Sequence, residues 1–201
     1  MSDPSAENLA AALAALRRGE VIVFPTETFY GLGADALAAA AVERVAELKG
    51  RNPDSPIAVI IADRGMLSQI VSEVPPLAEK LIARFWPGPL TLVLPARKAI
   101  PRPLLNTEGK IGIRVSSDPI ATRLARDLGR PITATSANPS GREPARTIAQ
   151  ARAYFTSQME VFVDGGPLAG KKGSTVAEVI GQRLKIIREG EIASKELEIC
   201  L

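Results

Sequence analysis

The sequence predicts an α/β fold, a single domain over residues 1–201 with a twisted mixed sheet flanked by helices. Three observations carry that expectation. Segments with a helical repeat of apolar residues alternate with short apolar runs of strand length along the whole chain. A chain of 201 residues that is 46% hydrophobic and 23% charged is long enough and apolar enough for one generous core. The Pro-rich stretches Pro87 to Pro89 and Pro101 to Pro103 read as turns inside one domain, and no internal repeat or low-complexity linker divides the chain.

The elements follow in order. Leu9, Leu13 and Leu16 recur on one helical face within residues 5 to 18, and Gly19 closes that helix. Glu20 to Phe24 reads as a buried strand. A helix near Ala39 to Leu48 comes next, then an apolar run at Ile57 to Ile61. Helical patterns near Arg64 to Val71 and Pro76 to Phe85 precede strands at Leu90 to Leu94 and Ile111 to Val115. After a helix near Pro119 to Leu128, extended runs at Ile132 to Ala134 and Val161 to Val163 bracket a helical stretch around Thr147 to Phe155. Ser174 to Ile180 and Leu184 to Arg188 read as a hairpin about Gly181-Gln182.

Composition removes several chemistries. With no histidine, Ser-His-Asp and Cys-His catalysis are excluded, as is the commonest zinc ligand. Positioning and charge neutralisation suit this inventory better than proton shuttling. The single cysteine, Cys200, has no partner for an intramolecular disulfide and is compatible with a reducing cytosol. No apolar run approaches the length of a membrane span, and Asp3 and Glu7 stand where a secretion signal carries positive charge. The net charge of +3 is unevenly spread: residues 97 to 130 hold eight Lys or Arg against three acids, residues 1 to 50 four against seven. The basic middle third is a candidate patch for nucleic acid or nucleotide, although Arg123, Arg126 and Arg130 are spaced like a solvated helix face.

Three segments carry candidate chemistry. In Lys49-Gly50-Arg51 two permanent cations flank a glycine where a helical pattern runs out. That suits a polyanion approached closely by backbone, but the segment taken alone fits better a helix C-terminus whose cations complement the dipole. Phe24 to Gly33 leaves a strand through Pro25, so Thr26-Glu27-Thr28 sits on a loop offering two hydroxyls and a carboxylate. Gly31 and Gly33 permit positive φ or close packing, and the bland alternative is a tight turn whose threonines bond nearby backbone. Thr133 to Asn138 ends in a Pro-Ser-Gly turn; its hydroxyls and amide suit an uncharged grip on a nucleotide, or a cap for the next helix.

Together with Phe85-Trp86-Pro87-Gly88-Pro89-Leu90-Thr91, Ile113-Arg114-Val115, Asp164-Gly165-Gly166, Gly173-Ser174-Thr175 and Ile187-Arg188-Glu189-Gly190, these segments resemble, in the same order, the YrdC-like family of threonylcarbamoyladenylate synthases. The resemblance implies a YrdC-like fold with a concave basic face, and a cytosolic nucleotidyltransferase. Such an enzyme joins L-threonine, bicarbonate and ATP into threonylcarbamoyl-adenylate and pyrophosphate. A transfer enzyme of the pathway then uses that product to modify tRNA. The resemblance also implies the site: Lys49 and Arg51 neutralising phosphate and carbamate oxygens; Ser136, Asn138, Arg142 and Arg188 around ATP; Thr26, Arg114 and Ser174 around threonine; and Mg²⁺ arriving with ATP, without a protein metal site. Phe85 to Pro89 reads as packing and turn. One departure stands out. Many relatives carry histidine at the position of Ile60, so closure of the threonine pocket passes here to backbone or another side chain. The alternatives are an RNA-binding or ribosome-maturation module and a paralogue without synthase activity; the presence of Lys49, Arg51, Ser136 and Asn138 argues against both.

Overall fold

The computed structural model describes residues 6–50 and 55–198. Arg51 and Cys200 lie outside the described residues. Helix α1 (Ala6–Arg17) buries Leu9 and Leu16 with Ala12 and Ala15, while Leu13 is only half-buried at the edge of that stripe. Strand β1 (Ile22–Phe24) is fully buried, as a short run of Ile-Val-Phe demands. Helices α2 (Ala39–Lys49) and α3 (Pro76–Phe85) each turn an apolar face to the larger core. Helix α4 (Pro119–Leu128) has both ends written in its sequence. The Asp118 carboxylate accepts from the N–H groups of Ile120 and Ala121, Pro119 occupies the first turn, and Gly129 caps the C-terminus at φ 73°. Helix α5 (Ile148–Phe155) starts with a capping box between Thr147 and Gln150, and α6 (Ser194–Leu197) is a single turn.

Two sheets form. Strands β3 (Val59–Ile60), β4 (Leu90–Pro95), β5 (Lys110–Arg114), β6 (Ile132–Thr133), β8 (Thr175–Ile180) and β9 (Arg183–Arg188) make a six-stranded sheet in the order β6-β3-β5-β4-β8-β9. Its β3–β5 and β4–β8 pairs are parallel and the others antiparallel, a mixed sheet as expected. Strand β1 belongs to a separate antiparallel sheet with β2 (Gly31–Gly33) and β7 (Thr135–Ser136). A second core cluster, built from α1, α4 and the inner side chains Ile22, Phe24, Ile60 and Ile132, packs these layers together.

Four expectations are corrected. The loop after Phe24 ends early, because Gly31 and Gly33 pair as strand β2. Their lack of a side chain is what the site requires: a Cβ on Gly33 would stand 2.8 Å from the Phe24 ring, so the close-packing role applies and neither glycine has positive φ. Arg64 to Val71 forms a 3₁₀ helix over Arg64–Gln69. Val161 to Val163 reaches only a bridge, Phe162 beside Val23, with the Val163 amide donating to the Val23 carbonyl at 2.8 Å. Ile132 to Ala134 is not one strand either; the chain pairs in the large sheet through Thr133, then crosses into the small sheet at Thr135.

That crossing is fastened by Thr133, which is fully buried. Its Oγ1 donates to the Leu32 carbonyl at 3.0 Å and accepts from the Ala34 amide at 2.9 Å. Thr133→Val keeps the shape and removes both bonds, taking from the buried Ala34 amide its acceptor, so the expected loss is about 1–3 kcal/mol. Urea unfolding checks it: the midpoint falls while the slope stays unchanged.

Candidate active site

Because the two sheets part at Ala134, a cleft of about 660 Å³ opens between them. Its floor is one face of the large sheet, read at every second residue: Thr91 and Val93 on β4; Lys110, Gly112 and Arg114 on β5; Ser174 and Val176 at the start of β8. The loop Thr26 to Tyr30, Lys49 and the Thr135-Ser136 strand form walls, and Arg188 closes the β9 side.

At one end, α2 delivers Lys49. Gly50 caps this helix in the left-handed region at φ 57°, its N–H bonding the carbonyls of Ala46 and Glu47, so the chain turns away just beyond the lysine. The helix C-terminus reading of the Lys-Gly pair is thus what the backbone forms, and the lysine that ends the helix also lines the cleft. The buried ammonium of Lys49 donates to the Ser136 carbonyl at 2.6 Å, Ser136 Oγ at 3.0 Å and Asn138 Oδ1 at 2.7 Å. A cation and a hydroxyl–amide pair, 87 residues apart in sequence, thus share one spot. Asn138 spends its Nδ2 on the carbonyls of Pro139 and Arg142. Arg142 does not join them in the cleft: the turn at Pro139 to Gly141 directs its side chain to solvent, and only its backbone carbonyl contacts the group.

At the other end, Thr26 Oγ1 donates to the Phe29 carbonyl at 2.7 Å and accepts from the amides of Thr28 and Phe29. The turn anticipated as the bland alternative exists, and the same residue lines the cleft. Arg114, 7% exposed at its side chain, approaches Glu27 with Nε 3.5 Å from Oε1. Ser174 Oγ shares a hydrogen bond of 2.8 Å with Thr91 Oγ1. Arg188 Nη2 donates to the Ser174 carbonyl at 2.9 Å. Desolvation by the surrounding cleft, helped by the nearby Arg114, lowers the Arg188 pKa from its ordinary value, and an arginine so placed still carries its charge. The Asp118 carboxyl, beneath Arg114 at the α4 cap, is pushed up, mainly by burial.

Of the residues proposed from sequence, Thr26, Lys49, Arg114, Ser136, Ser174 and Arg188 line one cleft and Asn138 bonds to its lysine. Ile60 lies beside Arg114 in the sheet register but is fully buried in the second core cluster with Phe24 and Ile132. Thr28, whose hydroxyl the sequence offered beside that of Thr26, also lines the cleft, whereas Thr91 and Lys110 were missed, although stepping back by twos from Arg114 along a strand arrives at Lys110. Its ammonium pairs with Glu108 at 2.6 Å and with buried Glu178, contacts that raise its pKa, the Glu108 hydrogen bond foremost. The basic middle third makes no single patch: Lys110 and Arg114 enter the cleft, whereas Arg123 pairs with Asp127 on the surface of α4 and Arg130 with Asp35.

No helix among the described residues is long and apolar enough to cross a membrane. A family model for Sua5, YciO and YrdC proteins, described as telomere recombination, matches residues 14–190. The threonylcarbamoyl-AMP synthase of Bacillus subtilis is 40% identical over 94% of this chain, and that of Pyrococcus abyssi 38% over 91%. The chain spans about half the length of these two relatives, 55% and 54%. It spans 91% of a putative threonylcarbamoyl-AMP synthase of Mycobacterium tuberculosis, at 32% identity over 98% of this chain. Among solved structures, P. abyssi Sua5 complexed with L-threonine superposes with a TM-score of 0.92 at 37% identity, covering 96% of this chain and 57% of that one. Escherichia coli YciO superposes at 0.87 with 29% identity, covering 97% and 95%. With its mixed sheet, its cleft between two sheets and these matches along most of its length, the chain belongs to the Sua5/YciO/YrdC family.

Proposed function

We propose that this protein is an L-threonylcarbamoyladenylate synthase acting in the cytosol, and that its product supplies a transfer enzyme that modifies tRNA. The observation that carries the reading is the convergence of Lys49 with Ser136 and Asn138 in the cleft that also receives Arg114, Ser174 and Arg188. The names of the family relatives support it, as does the size of the cleft, which suits a nucleotide with a small second substrate.

The chemistry follows from charge. The threonine amine loses a proton and bonds to the carbon of bicarbonate, giving a carbamate and releasing water. A carbamate oxygen then bonds to the α-phosphorus of ATP while the bond to pyrophosphate breaks. Negative charge crowds the transferring centre, and fixed cations offset it without reorganising. Lys49 sits where it exchanges part of its hydrogen bonding to Ser136 and Asn138 for phosphate oxygens, and Arg51 follows it in sequence. Arg188 serves the nucleotide from the opposite side, and Arg114, Thr26 and Ser174 take the amino acid. We assign Arg142 no side-chain contact.

Among the described residues no three carboxylates or cysteines gather, Glu27 is engaged by Arg114 and Ser116, and Glu189 by Ser194. Mg²⁺ enters this scheme on the ATP phosphates, as part of the substrate.

Incubating the pure protein with ATP, bicarbonate and L-threonine tests the proposal. Pyrophosphate and threonylcarbamoyl-AMP are expected in equal amounts, each dependent on both bicarbonate and threonine. Pyrophosphate release indifferent to bicarbonate would contradict it. So would salt-sensitive RNA binding with no turnover, which the RNA-module alternative requires.

A further inference from the structure

Glu27 has no part in the scheme above, yet it is the carboxylate packed directly against Arg114. Its Oε2 accepts the hydroxyl proton of Ser116, and its Oε1 faces Arg114 Nε at 3.5 Å. Both Oε1 and Nε are buried with no hydrogen-bond partner, a costly state that structures keep for a reason. The anchors behind Glu27 are firm. Ser116, itself 1% exposed, accepts the Asp118 amide at 3.1 Å, and Asp118 caps α4. On the other side, the Thr26 turn fixes the loop that carries Glu27. A guanidinium is a planar fork whose usefulness to a carboxylate depends on the direction of its terminal nitrogens. Arg114 reaches the cleft with the rest of its side chain buried, so whatever faces Nε sets that direction.

We infer that Glu27 is a positioning residue, holding Arg114 by its Nε edge so that the two terminal nitrogens present a ready fork to an α-carboxylate in the cleft. The inference rests on reading the Arg114 end as the amino-acid subsite. Glu27 does not take the amine proton itself: Oε1 is sealed from the cleft and Oε2 is held by Ser116. Arrangement of this kind removes the entropy of aiming a long side chain at the moment of binding.

Calorimetric titration of the full chain with L-threonine, L-serine and glycine, and separately with ATP, tests this. Glu27→Gln keeps the size and an acceptor while removing the charge. It is expected to weaken amino-acid binding about 10-fold or more, the scale of one charge-assisted contact, and to leave ATP affinity within about 2-fold. Added to Arg114→Gln, it is expected to cause no further loss, because Glu27 acts only through that arginine. If Glu27→Gln fails to fold, Ser116→Ala, which releases Oε2 and leaves both charges, is expected to weaken amino acids in the same selective way. Equal weakening of ATP and amino acid, unchanged amino-acid affinity, or additive losses in the double variant would each overturn the inference. So would a wild-type protein that binds none of the three amino acids. Amino-acid binding with this selectivity but no pyrophosphate release would support the inference and remove the synthase reading instead.

Discussion

Lys49→Met is expected to lower kcat/KM for threonine-dependent pyrophosphate release on the order of 10²-fold or more, the usual cost of removing a transition-state donor. Methionine keeps the stem that packs at the end of α2 and removes only the ammonium. The same change takes a donor from the Ser136 carbonyl and from Asn138 Oδ1. A stability loss of about 1–3 kcal/mol accompanies it, a fall in Tm of about 2–4 °C for each kcal/mol in a chain of this size. Activity is therefore read at a temperature where the variant is fully folded. Lys49→Arg is expected to restore little. The acceptors on Ser136 and Asn138 close around a compact point charge, and a planar fork does not fit them. Steady-state pyrophosphate release beside a Tm measurement checks the pair, and a Lys49→Met rate within about threefold of the wild type, where one donor should be worth at least ~10², would remove the lysine from the mechanism.

Gly190→Ala is the second large effect, and it begins with backbone. Where the chain leaves β9, Gly190 lies so close over the start of β8 that an added Cβ would stand 2.1 Å from the Gly173 carbonyl oxygen and 2.5 Å from the Ser174 carbonyl carbon. Its own amide donates to Thr175 Oγ1 at 2.9 Å, while the Glu191 amide bonds the Gly173 carbonyl at 3.0 Å. Backbone fixed from both sides cannot swing aside as a side chain would. The expected cost is about 3 kcal/mol, the upper end of ordinary overpacking, or roughly 6–12 °C in Tm. Activity falls even well below the Tm, because the displaced strand carries Ser174 and the strand beside it Arg188. Gly129→Ala is the control. At the C-cap of α4 a Cβ meets nothing within 4 Å, and only the left-handed backbone at φ 73° is strained, costing about 1–2 kcal/mol. Calorimetric scans with parallel rate measurements separate them: both variants lose stability, and only Gly190→Ala loses turnover below its Tm.

Elements whose ends are marked by local chemistry were legible in the sequence. Asp118-Pro119 and Gly129 bracket α4, Pro76 starts α3, and Gly181-Gln182 joins β8 to β9. Strand β2 was not legible, because Gly-Leu-Gly has no strand preference of its own. It is a strand only because β1 and β7 flank it and Phe24 lies against its bare backbone. The break at Ala134 was equally hidden. Its amide bonds Ala58 in the large sheet, while the next residue pairs in the small one. The site divides the same way. The segments holding Lys49, Ser136 and Asn138 stood out by their residue types, but only the family resemblance placed them in one site, since no local spacing carries the contact between segments 87 residues apart. Period-two stepping on β5 does carry Lys110. Nothing local marks Glu27 as the neighbour of Arg114, since that pairing exists only once β5 and the loop after β1 have met.

The most direct test is a crystal structure of the protein with a non-hydrolysable ATP analogue, L-threonine and bicarbonate bound together. The expected complex has the triphosphate within hydrogen-bond reach of Lys49 Nζ and the threonine carboxylate on the Arg114 fork. A carbamate oxygen should lie about 3–3.5 Å from the α-phosphorus. Nucleotide and amino acid bound on separate surfaces, or a nucleotide whose phosphates point away from Lys49, would contradict the account.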